Sequence, residues 1–583
     1  MAVEVRDPKS ICKHPEYVNF QSGVIGLTSA TRQLPNTANE FYFWLEEGEE
    51  RVQLGNIVAV VQEDTGEVTF GEVVEINSYM EIDDFLSDYL THGGHALTDG
   101  REVNLVQVAK AVVIKSTDER IKPVGRGWVY FASAEGISFG VGMSDYAEAG
   151  AGIPVGVLEN GDGTIVPVLL DQDFLIGPEG AHLNMAGISG LATKTSLIEF
   201  LLKSIFDTLV KSGKLRIAAI FFNVKGQDLL YLDKPNPQYE EHDPYTEWCR
   251  SLYEVLGIDL APFENVRIFA PYDPHFEGHT KSFRRDGKVE YFIWELPDLI
   301  DDIPELFSED EWTEAVEAVW IDIKEQIERQ PLRTYDELME WLNEERRALT
   351  SSKQQYWRGH EKEAFYRCFK NLDALAGLYD GLVCTGGVEP VDIPLHDLYN
   401  GTVFVIDIQS LNRRGQAMVF NKILNRIYRM LIDKNIEKDF DKVIFFVDEL
   451  NKFAPRETTR KAPLKESIIE VCARGRSIGV TFFGVEQFMS QIDRQVVDNS
   501  STIIFGRTGP GELGTDNYQW LPRDIRARLT QLPRGMFLLK HAKFVEPIFV
   551  RFPYPTCVPG DRYIPEEKEE EREVSAFDFR RQL

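Results

Sequence analysis

The rhythm of apolar and polar positions changes near residue 180. Between residues 20 and 170, short apolar stretches (41–44, 57–61 and 68–76) are separated by turn-forming clusters such as "EEGEE" and "EDTGE". Many short strands at close spacing predict an all-β region, read as a small barrel. "GVLENGDGTIVPVLL" continues the pattern and predicts a hairpin turn at Asn160–Gly163. "IDDFLSDYL" at 82–90 has helical spacing instead and predicts a helical insertion.

Beyond 180 the pattern alternates between short apolar runs and amphipathic stretches. That alternation predicts an α/β fold, a mainly parallel sheet covered by helices. The strand candidates are 183–186, 216–222, 402–408, 443–447, 479–484 and 502–506. Between the second and third lies 235–395, acidic and mostly helical in pattern, as in "EDEWTEAVEAVWIDIKEQIERQ". It is too long for a loop and predicts an inserted helical subdomain. The resulting division is an N-terminal segment (1–19), a β-barrel (20–170), an α/β core (171–234 and 396–557), the helical insertion (235–395) and a charged tail (558–583).

Composition narrows the class. With 43% hydrophobic and 27% charged residues in 583, a packed multidomain chain is expected. Apolar runs such as "VIFFV" are strand-length, far below the roughly 18–20 residues of a membrane span. "MAVEVRDPKS" has no apolar leader, and the six cysteines form no CxxC pair. A cytoplasmic protein without disulfides or zinc is expected. The net charge of −31 argues against a general nucleic-acid coat, but leaves room for a local basic channel.

The chemistry centres on "AHLNMAGISGLATKTSLIEFLL" at 181–202. An apolar strand, a glycine-bearing loop, Lys-Thr-Ser and a helix are the parts of a phosphate-binding loop. Backbone N–H groups converge on phosphate, a lysine reaches the outer phosphates, and a hydroxyl at the helix start binds Mg²⁺. The usual pattern G-x-x-x-x-G-K-[ST] is not met, because Thr193 precedes Lys194 and Ile188 stands six before it. Counted from Gly187, the loop is a lengthened variant. Gly187 and Gly190 make the turn, and Leu191, Ala192, Thr193, Lys194, Thr195 and Ser196 complete the nucleotide-contacting stretch. In the following helix Leu197, Phe200, Leu201 and Ile205 form one apolar face.

Partners for such a loop occur downstream. "VIFFVDE" (443–449) ends a buried strand in two acids. Asp448 with Thr195 can hold Mg²⁺, and Glu449 can polarise the attacking water. Apolar strands ending in Asp also occur for purely structural reasons. "CARGRSIGVTFFGVEQ" supplies Gln487, at the end of the strand expected beside the Asp-Glu strand and suited to sense the γ-phosphate. Arg474 or Arg476, with Arg507 as a third candidate, is suited to reach a neighbouring subunit's nucleotide; each is otherwise a surface residue. In "NVKGQDLL", Asn223 and Lys225 are placed to touch nucleotide or a DNA phosphate, or to cap the strand.

These segments resemble HerA-type proteins of the HerA/FtsK branch of hexameric motor ATPases. The resemblance rests on the β-barrel leader, "GAHLNMAGISGLATKTS" with His182, "IFFVDELNKFAP" and "ARGRSIGVTFFGVEQ". "ISGLATKTS" and "DELNK" depart from the commoner texts and mark a divergent subgroup. The resemblance implies a RecA-like P-loop core, ATP and Mg²⁺, and a homohexameric ring around double-stranded DNA. It also implies an effector such as a nuclease on the barrel face, in DNA processing or antiviral defence. Pore contacts are expected from Arg413, Arg414, Lys452, Arg456, Arg460 and Lys461, or these are solvated loop residues. The alternative is a non-motor hexameric scaffold whose degenerate nucleotide site organises an effector enzyme. A peptide-translocating ring is a third reading.

Overall fold

The computed structural model of the chain describes residues 7–80, 105–188 and 194–560, apart from 308–309, 331, 353, 376–380, 386, 434 and 458–462. The helix expected at 82–90, loop residues Gly190, Leu191, Ala192 and Thr193, and Arg460 and Lys461 lie outside the described residues. The chain forms two compact units, one from residues up to 174 with 502–553, the other from 175–501 with the chain from 554.

In the first unit six strands close a barrel. They are β1 (Gly26–Ser29), β2 (Glu40–Leu45), β3 (Ile57–Gln62), β4 (Val68–Met80), β5 (Leu105–Ser116) and β6 (Gly127–Phe131), in the order β1-β2-β5-β4-β3-β6. Burial alternates along β2, so Phe41, Phe43 and Leu45 point inward onto Val58, Val60, Val129 and Phe131. Closure leaves the barrel without an unpaired edge. Gly71 lies over Phe41, where a Cβ would come within 2.5 Å of the ring.

The barrel ends at Phe131, short of the expected boundary at 170. The hairpin turn at Asn160–Gly163 is present, with the Asn160 N–H donating to the Thr164 carbonyl at 2.8 Å. Its strands β7 (Gly152–Glu159) and β8 (Ile165–Asp171) form antiparallel sheet outside the barrel. That sheet also takes β18 (Thr502–Phe505), β19 (Met536–His541) and β20 (Ile548–Arg551), in the order β18-β19-β20-β7-β8. Residues 502–553, expected in the α/β core, therefore fall in the first unit. The reason is topological. Strand–helix–strand crossovers give way there to the antiparallel pairs β18–β19 and β19–β20. Buried His541 fixes one end of this layer. Its Nε2 accepts from the Asp171 N–H at 3.1 Å, so Nδ1 carries the proton toward Thr502 Oγ1 at 2.9 Å. Burial holds its pKa down at about 3.

The second unit runs β9 (Leu183–Ala186), α1 (Lys194–Ile205), β10 (Ile217–Asn223), α2 (Pro244–Leu256), β11 (Val266–Pro271), β12 (Val289–Phe292), α3 (Glu314–Arg329), α4 (Tyr335–Ser351), β13 (Tyr356–Trp357), β14 (His360–Glu361), α5 (Lys362–Ala374), β15 (Val403–Asp407), α6 (Arg413–Ile432), β16 (Lys442–Asp448), α7 (Pro463–Ile478) and β17 (Val480–Glu486). Its sheet is parallel throughout, in the order β12-β11-β15-β10-β16-β17-β9. Strands β10 and β17 are buried along their whole length, as a sheet covered on both faces requires. Phe222 of β10 stacks on Phe445 at 6.2 Å and meets Phe420 of α6 edge-on at 4.6 Å.

Two expectations change here. The stretch 235–395 is not wholly a helical insertion: β11 and β12 extend the parallel sheet, and α3 to α5 with the β13–β14 hairpin make the helical part. Helix α1 buries far more than one apolar face, including Glu199 and Lys203. The segment from 554 accounts for part of this. The Cys557 thiol bonds the Glu199 carboxylate, and the Tyr239 and Tyr253 hydroxyls donate to the Tyr554 carbonyl at 2.6 and 2.7 Å.

Candidate active site

Because the sheet is parallel, the carboxyl ends of β9, β17, β16, β10 and β15 lie along one edge, where ligands collect in folds of this kind. Gly187, Glu486 and Gln487, Asp448 and Glu449, Asn223 and Lys225, and Asp407 stand in that order across it.

Lys194 opens α1 and is 7% exposed. Its Nζ donates to the Glu486 carbonyl at 3.3 Å, and the Gly187 N–H donates to the same oxygen at 3.2 Å. One backbone carbonyl of β17 thus holds both Gly187, after β9, and Lys194, at the start of α1. Burial pulls the Lys194 pKa down, and the Lys225 charge adds to this, while Asp448, Glu486 and Glu449 oppose it. Thr195 follows at the second position of the helix, half-buried, and Ser196 is buried. His182 fastens the base of β9. Its Nδ1 accepts the Phe482 N–H of β17 at 3.0 Å from a backbone at φ 70°, and burial, with the Arg476 charge adding, lowers its pKa to about 4.

Asp448 closes β16 and is 8% exposed; its Oδ1 accepts the Glu449 N–H at 2.9 Å. Glu449 is in the left-handed region (φ 57°, ψ 47°), a sparsely populated conformation for a residue with a Cβ. That turn brings its carboxylate back beside Asp448. Lys225 Nζ donates to Glu449 Oε1 at 2.7 Å and lies 3.5 Å from Asp448 Oδ2, and Lys452 pairs with Glu449 Oε2. Burial works against the charge on Glu449, but the two lysines outweigh it and hold its pKa below the ordinary value. Lys225 shows the reciprocal effect: burial opposes its charge, Asp448 and Glu449 outweigh that, and its pKa rises.

Gln487 follows β17, the strand between β9 and β16, and is partly exposed at the same edge. The arginines lie elsewhere. Arg476 Nη1 donates to the Glu179 carbonyl at 2.8 Å, before the start of β9, and Arg474 pairs with Glu470 at 3.3 Å on the last turns of α7. Both are at the amino ends of the strands, opposite Lys194. Arg507 belongs to the first unit, where its Nε donates to the Thr530 carbonyl at 2.9 Å. Of the basic loop residues, Arg413 Nη2 donates to the Lys452 carbonyl at 2.9 Å, Arg414 pairs with Glu311 at 3.1 Å, and Arg456 is exposed. Arg413 and Lys452 thus come together just beyond the Asp-Glu pair.

Sequence reading gives Glu486 no role and gives Lys225 a nucleotide or DNA-phosphate contact or a strand cap, but not its pairing with Glu449. Glu486 is fully buried beside Lys194, and its signal was an acid inside the otherwise apolar run "GVTFFGVEQ". Lys225 was considered for phosphate contact, but its pairing with Glu449 depends on β10 lying next to β16, which no sequence pattern specifies. Among the described residues no cluster of three or more His, Cys, Asp or Glu forms a metal site.

No family model and no curated protein matches the chain. Among solved structures, it is similar to the unbound bacterial conjugative coupling protein TrwBdeltaN70 at 14% identity, over 67% of this chain and 88% of that one, with a TM-score of 0.43. VirB4 of Thermoanaerobacter pseudethanolicus is similar at 15% identity over 69% and 96%, TM-score 0.41. The genome packaging NTPase B204 from Sulfolobus turreted icosahedral virus 2, in complex with ATP-gammaS, is similar at 15% identity over 26% and 68%, TM-score 0.20.

Proposed function

We propose that the chain is a Mg²⁺-dependent ATPase with a RecA-like P-loop core, and that it works as a double-stranded DNA translocase of the HerA type. One observation carries this reading. A buried lysine at a helix start and an Asp-Glu pair converge on one sheet edge, with the strand of Gln487 between them.

Lys194 neutralises the outer phosphates, and the α1 N-terminus adds its dipole. Mg²⁺, a hard cation that takes few protein oxygens, fits the Thr195 hydroxyl and the Asp448 carboxylate, a place that already holds a cation in Lys225, and there it would offset phosphate charge. Glu449 orients water for in-line attack. The water oxygen bonds to the terminal phosphorus as the bridging P–O bond breaks, the proton passes to Glu449, and ADP and phosphate leave. Gln487 stands where the terminal phosphate is read.

Arg474 and Arg476 lie at the opposite end of the strands from the chain's own Lys194. An arginine so placed serves a neighbouring copy's nucleotide, which supports a homohexameric ring. Duplex DNA in its channel would meet Arg413 and Lys452, one residue group away from the Asp-Glu turn. An effector such as a nuclease on the barrel face, a cytoplasmic setting and a role in DNA processing or antiviral defence complete the reading. A non-motor scaffold is favoured by one fact: both Glu449 oxygens are engaged by lysines.

Phosphate release from ATP, with and without duplex DNA, separates the two. The motor predicts turnover that rises with duplex and disappears in Lys194→Ala. An intact ring without turnover in either condition would sink the motor and leave the scaffold.

A further inference from the structure

Lys225 enters the site from β10, on the far side of β16 from Lys194. The foot of its turn is fixed, because Asn223 Nδ2 donates to Asp407 Oδ1 at 2.8 Å and to the Gly226 carbonyl at 3.2 Å. Only the head of the lysine is held, by Glu449 at 2.7 Å and Asp448 at 3.5 Å, and its side chain is 36% exposed. A flexible four-carbon stem lets such an ammonium move without moving the backbone.

This arrangement is incompatible with a metal-nucleotide in one respect. A divalent cation at Asp448 and an ammonium 3.5 Å from the same carboxylate repel each other in a half-buried site. That repulsion favours a shift of Lys225 toward an anion. Lys194 lies within electrostatic range on the other side, so a phosphate between the two lysines meets both.

We propose that Lys225 is a second phosphate-contacting residue, resting on Asp448 and Glu449 before nucleotide arrives and moving to the terminal phosphate of a bound nucleoside triphosphate. This rests on the nucleotide-site reading above. The move frees Glu449 Oε1 for water, while Lys452, on the same turn, keeps the other oxygen charged and oriented. A diphosphate lacks the γ-phosphate that draws Lys225 away, so the glutamate is released only when there is a bond to hydrolyse.

The test compares ADP with a non-hydrolysable ATP analogue, each with Mg²⁺, binding to the full chain and to Lys225→Met and Lys225→Arg. The unsubstituted chain should prefer the triphosphate. Lys225→Met should lose about ten- to a hundredfold of that preference, the worth of one charge-assisted hydrogen bond, with ADP affinity retained. Lys225→Arg should keep most of it, and a melting curve confirms that both variants fold. An unchanged preference in Lys225→Met overturns the inference and leaves the nucleotide site standing. Failure of the unsubstituted chain to bind either nucleotide overturns the site and the inference together.

Discussion

Two strands of the parallel sheet end in the same way in different surroundings. β15 reads "VFVID" and β16 reads "VIFFVD"; both are apolar runs that close on a buried aspartate. Asp407 is met by neutral donors, among them Ser282 Oγ at 2.6 Å, Asn223 Nδ2 at 2.8 Å and Gln409, and burial raises its pKa in spite of them. Asp448 faces Lys225, with Lys194 in range, and the next residue is a strained glutamate held by two lysines. Neutral donors complete a core, whereas acids interleaved with lysines are where the proposed nucleotide site would hold phosphate and metal. What surrounds the strand end, not the strand, separates structure from chemistry.

The sharpest way to break this contrast is at Glu449. Glu449→Gln should bind ATP and lower turnover about 10²- to 10⁴-fold, the usual contribution of a positioned base; nucleotide binding and phosphate release measured together check it. At the other strand end, Asp407→Ala takes the carboxylate acceptor from Ser282 and leaves Asn223 only the Gly226 carbonyl. It should cost about 1–3 kcal/mol of stability in a denaturant titration, with a far smaller loss of turnover per folded molecule than in Glu449→Gln.

A smaller effect is expected from pH. His182 is held neutral, its pKa falling from 6.5 to about 4 in the folded chain. Between those values the unfolded chain binds the proton and the folded chain does not, so stability is lost as pH falls through this window. His182→Gln, which can accept the Phe482 N–H but does not titrate, should flatten that part of a melting-temperature profile. Smallest of all, Arg413→Ala should weaken duplex binding and reduce its salt slope by about one, the loss of a single phosphate contact.

The strands of the core were legible because buried parallel strands are continuous apolar runs. The predicted 443–447 and 479–484 became Lys442–Asp448 and Val480–Glu486. The loop lysine, the Asp-Glu pair and Gln487 were legible because local sequence fixes each beside its own strand end. Strand order was not, since it depends on contacts between residues far apart in the chain. Hence β11 and β12 were hidden within a stretch dominated by helical periodicity, and the Lys225–Glu449 pair, 224 residues apart, left no local trace. The expected strand 502–506 is present as Thr502–Phe505, but its antiparallel pairing with β19 left no local trace either.

The central claim is that the end of β16 performs chemistry and the end of β15 does not. Steady-state ATP hydrolysis by Glu449→Gln and Asp407→Ala, each normalised to folded protein and measured with duplex DNA, tests it most directly. The account predicts that turnover collapses in Glu449→Gln and persists in Asp407→Ala. Normal hydrolysis by Glu449→Gln, or equal loss in both, would contradict it.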